Sequence, residues 1–300
     1  MLGIAVCAEL GSRALGLTHA GLDVTDAAAV ARALGAHQPV AIVNCAAWTD
    51  VDGAESHPAE AAALNAGAVG NLARAAAARG IYFITISTDY VFDGTGVAPW
   101  PEVAPPVASP DAEESEARRL GFQPLGVYGA SKLAGERALM AAGGDWCLVR
   151  TQWLYGAGGR NFVDTIARVA RERGAAPVSG TPVAPLRVVD DQHGAPTWVR
   201  DVARGLRVLI EQRARGVFHV VNSGETTWHG VAEFILRELA LDCPLEPCGS
   251  DEFPRPARRP VNSRLSQACF AAVAGASLPD WQTALREYLG MTPCSPMARE

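Results

Sequence analysis

No stretch of this sequence approaches the ~20 consecutive apolar residues of a membrane span, so no spanning helix is expected. The start lacks a basic region followed by an apolar core and a cleavage site, and no secretory leader is expected. Positive charge is not in excess. The 26 Lys and Arg stand against 32 Asp and Glu, a net charge of −6. That argues against nucleic acid as the main partner, because phosphate binding needs a basic surface. The six histidines form no metal-ligating spacing such as H-E-x-x-H. The seven cysteines are odd in number and scattered, and Cys243 and Cys248 have no second pair with which to build a zinc site. The expectation is free thiols in a reducing cytoplasm, and no metal.

What is present is a globular chain, 49% hydrophobic and 19% charged. Its 300 residues allow one large or two modest domains. "MLGIAVCAEL" reads as a helix closed by Gly11, and Ala14–Leu17 reads as a strand. Strands are read at "PVAIVNCAA" (39–47), "IYFITISTDYVF" (81–92), "WCLVRTQWLYG" (146–156) and "GVFHVVN" (216–222). Ala-rich helices lie between them at 59–80 and 128–143. Such alternation implies parallel strands joined by crossover helices, an α/β fold with a doubly wound sheet. From Gly156 onward prolines multiply, among them Pro177, Pro182, Pro185 and Pro196. The expected division is 1–155 for a dinucleotide-binding domain and 156–300 for a smaller mixed substrate domain. Part of about 185–213 can return to the first. "WHGVAEFILREL" reads as an amphipathic helix capped by Thr226 or Thr227. The Pro-rich, then charged run 97–124 reads as a solvated loop with one helical turn; the alternative is a lid over a site.

Tyr128 and Lys132 form a Tyr-x-x-x-Lys on a predicted helix, so both side chains share one face. A phenol at pKa ~10 is a poor acid at neutral pH. A nearby cation is expected to lower it toward the working range. "ISTDYVFDG" ends a predicted parallel strand, where active sites of such sheets gather, so Thr88 offers a hydroxyl to the same cleft.

A hydroxyl, a tyrosine and a lysine in this order resemble the short-chain dehydrogenase/reductases. The motifs "NCAAWTDVDGAE", "STDYVFDG", "VYGASKLAGE", "RTQWLYG", "NFVDTIARVARE", "RVVDDQHGAPT", "GETTWHGVAEFI", "RPVNSRL" and "LPDWQTAL" follow one another along the chain. Together they are similar to the dTDP-4-dehydrorhamnose reductase family, an extended branch of that class. The resemblance implies a Rossmann-type sheet, NADPH or NADH as cofactor, and reduction of the C4 ketone of a dTDP-sugar. It implies Thr88, Tyr128 and Lys132 as catalytic residues. Gly3, Asp23, Val24, Ala46 and Ala47 are implied beside the cofactor, together with Tyr128 and Lys132. Thr49, Val51, Asp89, Tyr90 and Trp153 are implied around the sugar, with Asn161 and Arg264 as weaker candidates for its diphosphate. His19, with Arg13 nearby, stands where a 2′-phosphate would lie. A homodimer is compatible with it.

Against the family's opening strand and glycine-rich turn, Met1-Leu2-Gly3 matches only the last three residues of the turn, with Gly3 as its third glycine. That strand is central in such a sheet. The expectation is therefore that Met1 is internal to a longer protein; the rival is a short chain that has lost cofactor binding. Two other functions resemble this one at the motif level. One is a reductase or epimerase of another 4-keto-6-deoxyhexose nucleotide. The other is a non-catalytic partner like the regulatory subunit of methionine adenosyltransferase.

Overall fold

The computed structural model describes residues 1–106, 110–174 and 184–291. Pro177 and Pro182 lie outside the described residues. Helix α1 (Leu2–Leu10) leads to α2 (Ala27–His37), strand β1 (Ala41–Asn44), α3 (Val51–Ser56), α4 (Pro58–Ala62) and α5 (Ala68–Ala77). Then come β2 (Tyr82–Thr88), α6 (Pro110–Arg119), α7 (Val127–Ala142), β3 (Trp146–Thr151) and the two-residue β4 (Leu154–Tyr155). The second half holds α8 (Phe162–Gly174), β5 (Leu186–Val189), β6 (His193–Gly194), β7 (Thr197–Trp198), α9 (Val199–Glu211) and β8 (Gly216–His219). It closes with β9 (Thr226–Thr227), α10 (Trp228–Glu238), β10 (Leu245–Cys248), α11 (Ala268–Ala274) and α12 (Trp281–Met291). No helix among the described residues is long and apolar enough to cross a membrane.

The main sheet is parallel throughout, in the order β1-β2-β3-β8. Successive strand residues point to opposite faces. Tyr82, Ile84, Cys147, Val149 and Phe218 therefore pack on one side with Leu2 and Val6 of α1 and Val202, Leu206 and Leu209 of α9. Phe83, Leu148 and Val217 pack on the other with Val69, Leu72 and Ala76 of α5, Leu139 of α7 and Val30 and Leu34 of α2. Three layers result, and the carboxyl ends of all four strands open on one edge.

Four expectations need correction. Ala14–Leu17 form no strand. Among the described residues no strand pairs with them, so their backbone has no ladder to join, and Leu15 and Leu17 stay exposed. The strand read through 146–156 breaks after Thr151, where Trp153 takes a left-handed backbone with φ of 45°; β4 then pairs with β7 instead. The helix read over 59–80 is interrupted by a π turn at Ala63–Gly67. There the Asn65 carbonyl presses on Gly135 of α7, where an added Cβ would stand 2.1 Å from it. The run 97–124 is no solvated loop. It carries the ten-residue α6, buries Ala117 and Phe122, and stacks Trp100 on Phe92 at 4.6 Å. Thr227 is the cap of α10, accepting from the Gly230 N–H.

Under the sheet's open edge lies a fully buried ion pair. Arg150 of β3 donates from Nη2 to Glu136 Oε2 at 2.7 Å and from Nε to Oε1 at 2.9 Å. The same Oε1 accepts from Ser87 Oγ at 2.5 Å, and Arg150 Nη1 reaches the Val103 carbonyl at 3.0 Å. Phe92 and Phe122 cover the guanidinium, each ring centre about 5 Å away. A buried pair survives desolvation only when its remaining donors and acceptors are satisfied, and here they are. Glu136→Gln should cost about 3–5 kcal/mol in urea unfolding, because it leaves a buried guanidinium uncompensated. Replacing both partners by apolar residues should recover much of that loss. A single variant as stable as the parent would show that the pair bears no such load.

Candidate active site

Strand β2 ends at Thr88, and a 3₁₀ turn over Asp89–Val91 follows at once. Thr88 Oγ1 accepts from the Tyr90 N–H and donates to Asp89 at 2.9 Å. Asp89 is 2% exposed and also accepts from Ser263 Oγ at 2.5 Å. Burial pushes its carboxyl up to about 6, against the opposing pull of the Ser263 and Thr88 hydroxyls.

Helix α7 brings Tyr128 and Lys132 to this strand end. Its first residue donates Val127 N–H to Glu55 Oε1 at 2.8 Å, so a carboxylate on α3 caps it. Gly129 lets it lie against the Tyr90 carbonyl, where an added Cβ would come within 2.2 Å. Asn65 ties the same helix to the β1 loop, donating to Ser131 Oγ and accepting from the Trp48 N–H. The Tyr128 and Tyr90 rings meet edge to face at 5.4 Å.

The expected lowering of the Tyr128 pKa by Lys132 does not hold in this structure. Burial pushes the phenol upward; contact with the Thr88 hydroxyl opposes that, and the Asp89 charge adds to it. Lys132 is turned to the Ile86 carbonyl at 2.7 Å. Burial pulls its own ammonium down to about 8, and Glu136, one turn along, holds it up.

The remaining candidates divide. Val51 opens α3 beside exposed Thr49, and both adjoin Asp52, whose carboxylate accepts from Arg259 at 2.8 Å. Burial raises the Asp52 carboxyl, but the Ala257 N–H and the guanidiniums of Arg259 and Arg255 outweigh it and hold it low. Trp153 stacks on Trp228 at 3.8 Å, so one face of its ring is already covered. Asn161 is spent in its own turn: Oδ1 accepts from the Asp164 N–H, and Nδ2 donates to Gly156 O and Asp164 Oδ2. Arg264 pairs with Glu225 at 2.7 Å and opens on a cleft of about 410 Å³ lined by Gln152, Asn222 and Gln267. The structure does not bring these last two to the Tyr128 face. Asp23 makes a turn with Thr25, accepting at 2.9 and 2.7 Å, and Val24 packs under α2. His19 is exposed, and Arg13 is paired with Glu211.

The cofactor edge fits a nicotinamide dinucleotide. Lys132 is 5% exposed and has one acceptor among the described residues, which leaves donors on a buried ammonium for a ribose. Exposed Ala46 and partly buried Ala47 follow the end of β1 beside Cys45. A Cβ at Gly3 would rest 3.6 Å from the Cβ of Cys45, so the start of α1 lies over this edge. That first turn has no capping side chain and no acid, which suits an anion. Among the described residues no cluster of His, Cys, Asp or Glu suits a metal.

A family model described as RmlD substrate binding domain matches residues 1–292. The chain belongs to that family. It is 39% identical over 297 residues to a dTDP-4-dehydrorhamnose reductase of Streptomyces griseus, covering 96% of this chain and 89% of that one. It is 34% identical over 292 residues to a dTDP-4-keto-6-deoxy-D-glucose reductase of Streptomyces niveus, covering 96% and 92%. Among solved structures, the dTDP-4-dehydrorhamnose reductase of Bacillus anthracis in complex with NADP matches with a TM-score of 0.84 and 30% identity, over 97% of this chain and 95% of that one.

The structure adds residues that single motifs did not reveal: Glu55, Asp52, Glu136, Arg259 and Ser263. Each sits inside one of the quoted motifs, and its partner sits in another. Lys132 carries a further signal, because it is the only lysine in the chain. Lysine labelled with ¹⁵N at the side chain therefore gives a single ε-amine resonance. It should titrate near 8, below the ordinary value of ~10.4. Titration at the ordinary value would show that burial does not govern this amine.

Proposed function

We propose that this chain reduces the C4 ketone of dTDP-4-dehydro-6-deoxy-L-mannose to dTDP-L-rhamnose with NADPH or NADH. The observation that carries the reading is the meeting of Thr88, Tyr128 and Lys132 at the carboxyl end of β2, in a chain of this family. The bound cofactor would supply the hydride. Tyr128 gives its hydroxyl proton to the ketone oxygen. Thr88 holds that oxygen by turning its one hydroxyl proton to it from Asp89, its acceptor before substrate binds. Lys132, kept charged, offers its remaining N–H donors to the cofactor ribose. The sugar face runs along Tyr90, Trp153, Thr49 and Val51. Residues 1–155 bind the dinucleotide and 156–300 chiefly the sugar nucleotide. In this reading the chain works in the cytoplasm, which agrees with the free thiols of the six described cysteines, and a homodimer remains its proposed assembly.

The relative from Streptomyces niveus supports a second reading, in which the ketone belongs to a dTDP-4-keto-6-deoxy-D-glucose. Supplying each ketone, following NADPH loss by absorbance, and assigning the product by NMR decides between them. No turnover of either would exclude a reductase acting on these sugars. Tyr128→Phe should lower turnover about 10²–10⁴-fold with an unchanged melting curve; undiminished turnover would remove the proton donor from the mechanism.

The pH dependence has a definite sign. The Lys132 ammonium is needed charged, and burial lowers its pKa to about 8, so kcat/KM should fall as pH rises through 8. The Asp89 carboxylate is needed as acceptor, and its pKa is raised to about 6, so kcat/KM should also fall as pH drops through 6. Lys132→Arg should erase the upper limb within the activity it retains, since arginine does not titrate there. An upper limb unmoved in that variant would assign it to another group.

A further inference from the structure

Arg259 opens the motif "RPVNSRL", and the sugar pocket of the proposed function leaves it without a role. Its guanidinium is 17% exposed and donates to Asp52 at 2.8 Å and to the Ala257 carbonyl at 3.3 Å. Among the described residues two of its five N–H donors are engaged. Asp52 also holds Arg255 at 3.4 Å, and Arg258 between them has no ion pair among the described residues. Two guanidiniums are thus gathered around one carboxylate, with Arg258 beside Arg259 in the sequence. That leaves uncompensated positive charge in a chain whose overall charge is −6.

The position matters as much as the charge. Arg259 and Asp52 act electrostatically on the Tyr90 phenol, and the Tyr90 ring meets Tyr128 edge to face. A pyranose carries C4 and C1 at opposite ends of its ring. A ketone held at Tyr128 therefore sends its C1 phosphate one ring-width away, on the scale of the 5.4 Å between the Tyr128 and Tyr90 ring centres. By contrast Arg264 has the Glu225 carboxylate within 2.7 Å and faces another cleft.

We infer that Arg259, flanked by Arg255 and Arg258, binds the diphosphate of the sugar nucleotide, and that Arg264 does not. The planar fork of Arg259 suits two phosphate oxygens, and Asp52 holds that fork in place while the site is empty. This inference rests on the proposed sugar-nucleotide substrate.

Calorimetric titration of the full chain with dTDP, with inorganic pyrophosphate and with thymidine tests it. Arg259→Gln should weaken dTDP and pyrophosphate about ten- to hundredfold, the range for a charged hydrogen bond, and leave thymidine unchanged. Arg259→Lys should recover part of the loss, because charge remains while the fork is gone. Arg264→Gln should change dTDP affinity less than twofold. Asp52 keeps Arg255 and the Ala257 N–H in the Arg259 variants, so an unchanged melting curve is expected. If wild type and Arg259→Gln bind dTDP equally, or if Arg264→Gln carries the loss, the inference falls and the sugar-nucleotide reading stands. If wild type binds pyrophosphate through Arg259 but not dTDP, the anion site stands and the reading falls. If wild type binds neither, both fall.

Discussion

Glu136 and Arg150 hold the catalytic edge together. The pair is buried to 1% and 0% exposure and joins α7 to β3. Ser87, which shares the Glu136 carboxylate, precedes Thr88 on β2; Lys132 lies one helical turn before Glu136. The hydroxyl and the ammonium of the site are therefore both placed from beneath by one carboxylate. Arg150 extends the reach to the 97–124 connection through the Val103 carbonyl and Phe122. Glu102 in the same connection accepts the N–H groups of His219 and Phe270, which docks it on β8 and α11. His219 must then sit beside Arg150 without a second positive charge. Burial and that neighbour keep its pKa far below the ordinary value.

Burial is also the dominant influence on the groups that exchange protons. It weakens Tyr128 as an acid and strengthens Lys132 as one. A lysine four residues on does not by itself activate a tyrosine, because the ammonium here is turned to a backbone carbonyl. Spacing sets which face two side chains share; the nearest acceptor sets where each one points.

Much of the molecule was legible because its signals are local. Apolar runs at 39–47, 81–92 and 216–222 marked the strands found at 41–44, 82–88 and 216–219, and the i, i+4 spacing marked a shared face for Tyr128 and Lys132. Local reading failed where pairing decides. Ala14–Leu17 has strand-like composition, yet a strand exists only beside another. Trp153 interrupts an apolar run through its backbone angle, which composition does not encode. Arg264 and Arg259 are five residues apart in one motif and chemically identical, and only the partners Glu225 and Asp52, distant in sequence, distinguish them. The family motifs marked the right neighbourhoods without saying which residue in each faces which.

The solitary lysine has a consequence for the chemistry this protein can suffer. All other cationic side chains are guanidiniums, which neither titrate nor acylate under ordinary conditions. The surface consequently keeps its positive charges into strongly alkaline solution. Reducing sugars, aldehydes and active esters, which modify exposed lysines at random on most proteins, find a single ε-amine here. It lies inside the site, where a bound dinucleotide would cover it. The molecule is shielded from diffuse ε-amine damage, and what damage does occur falls on the one lysine to which the proposed function assigns a role.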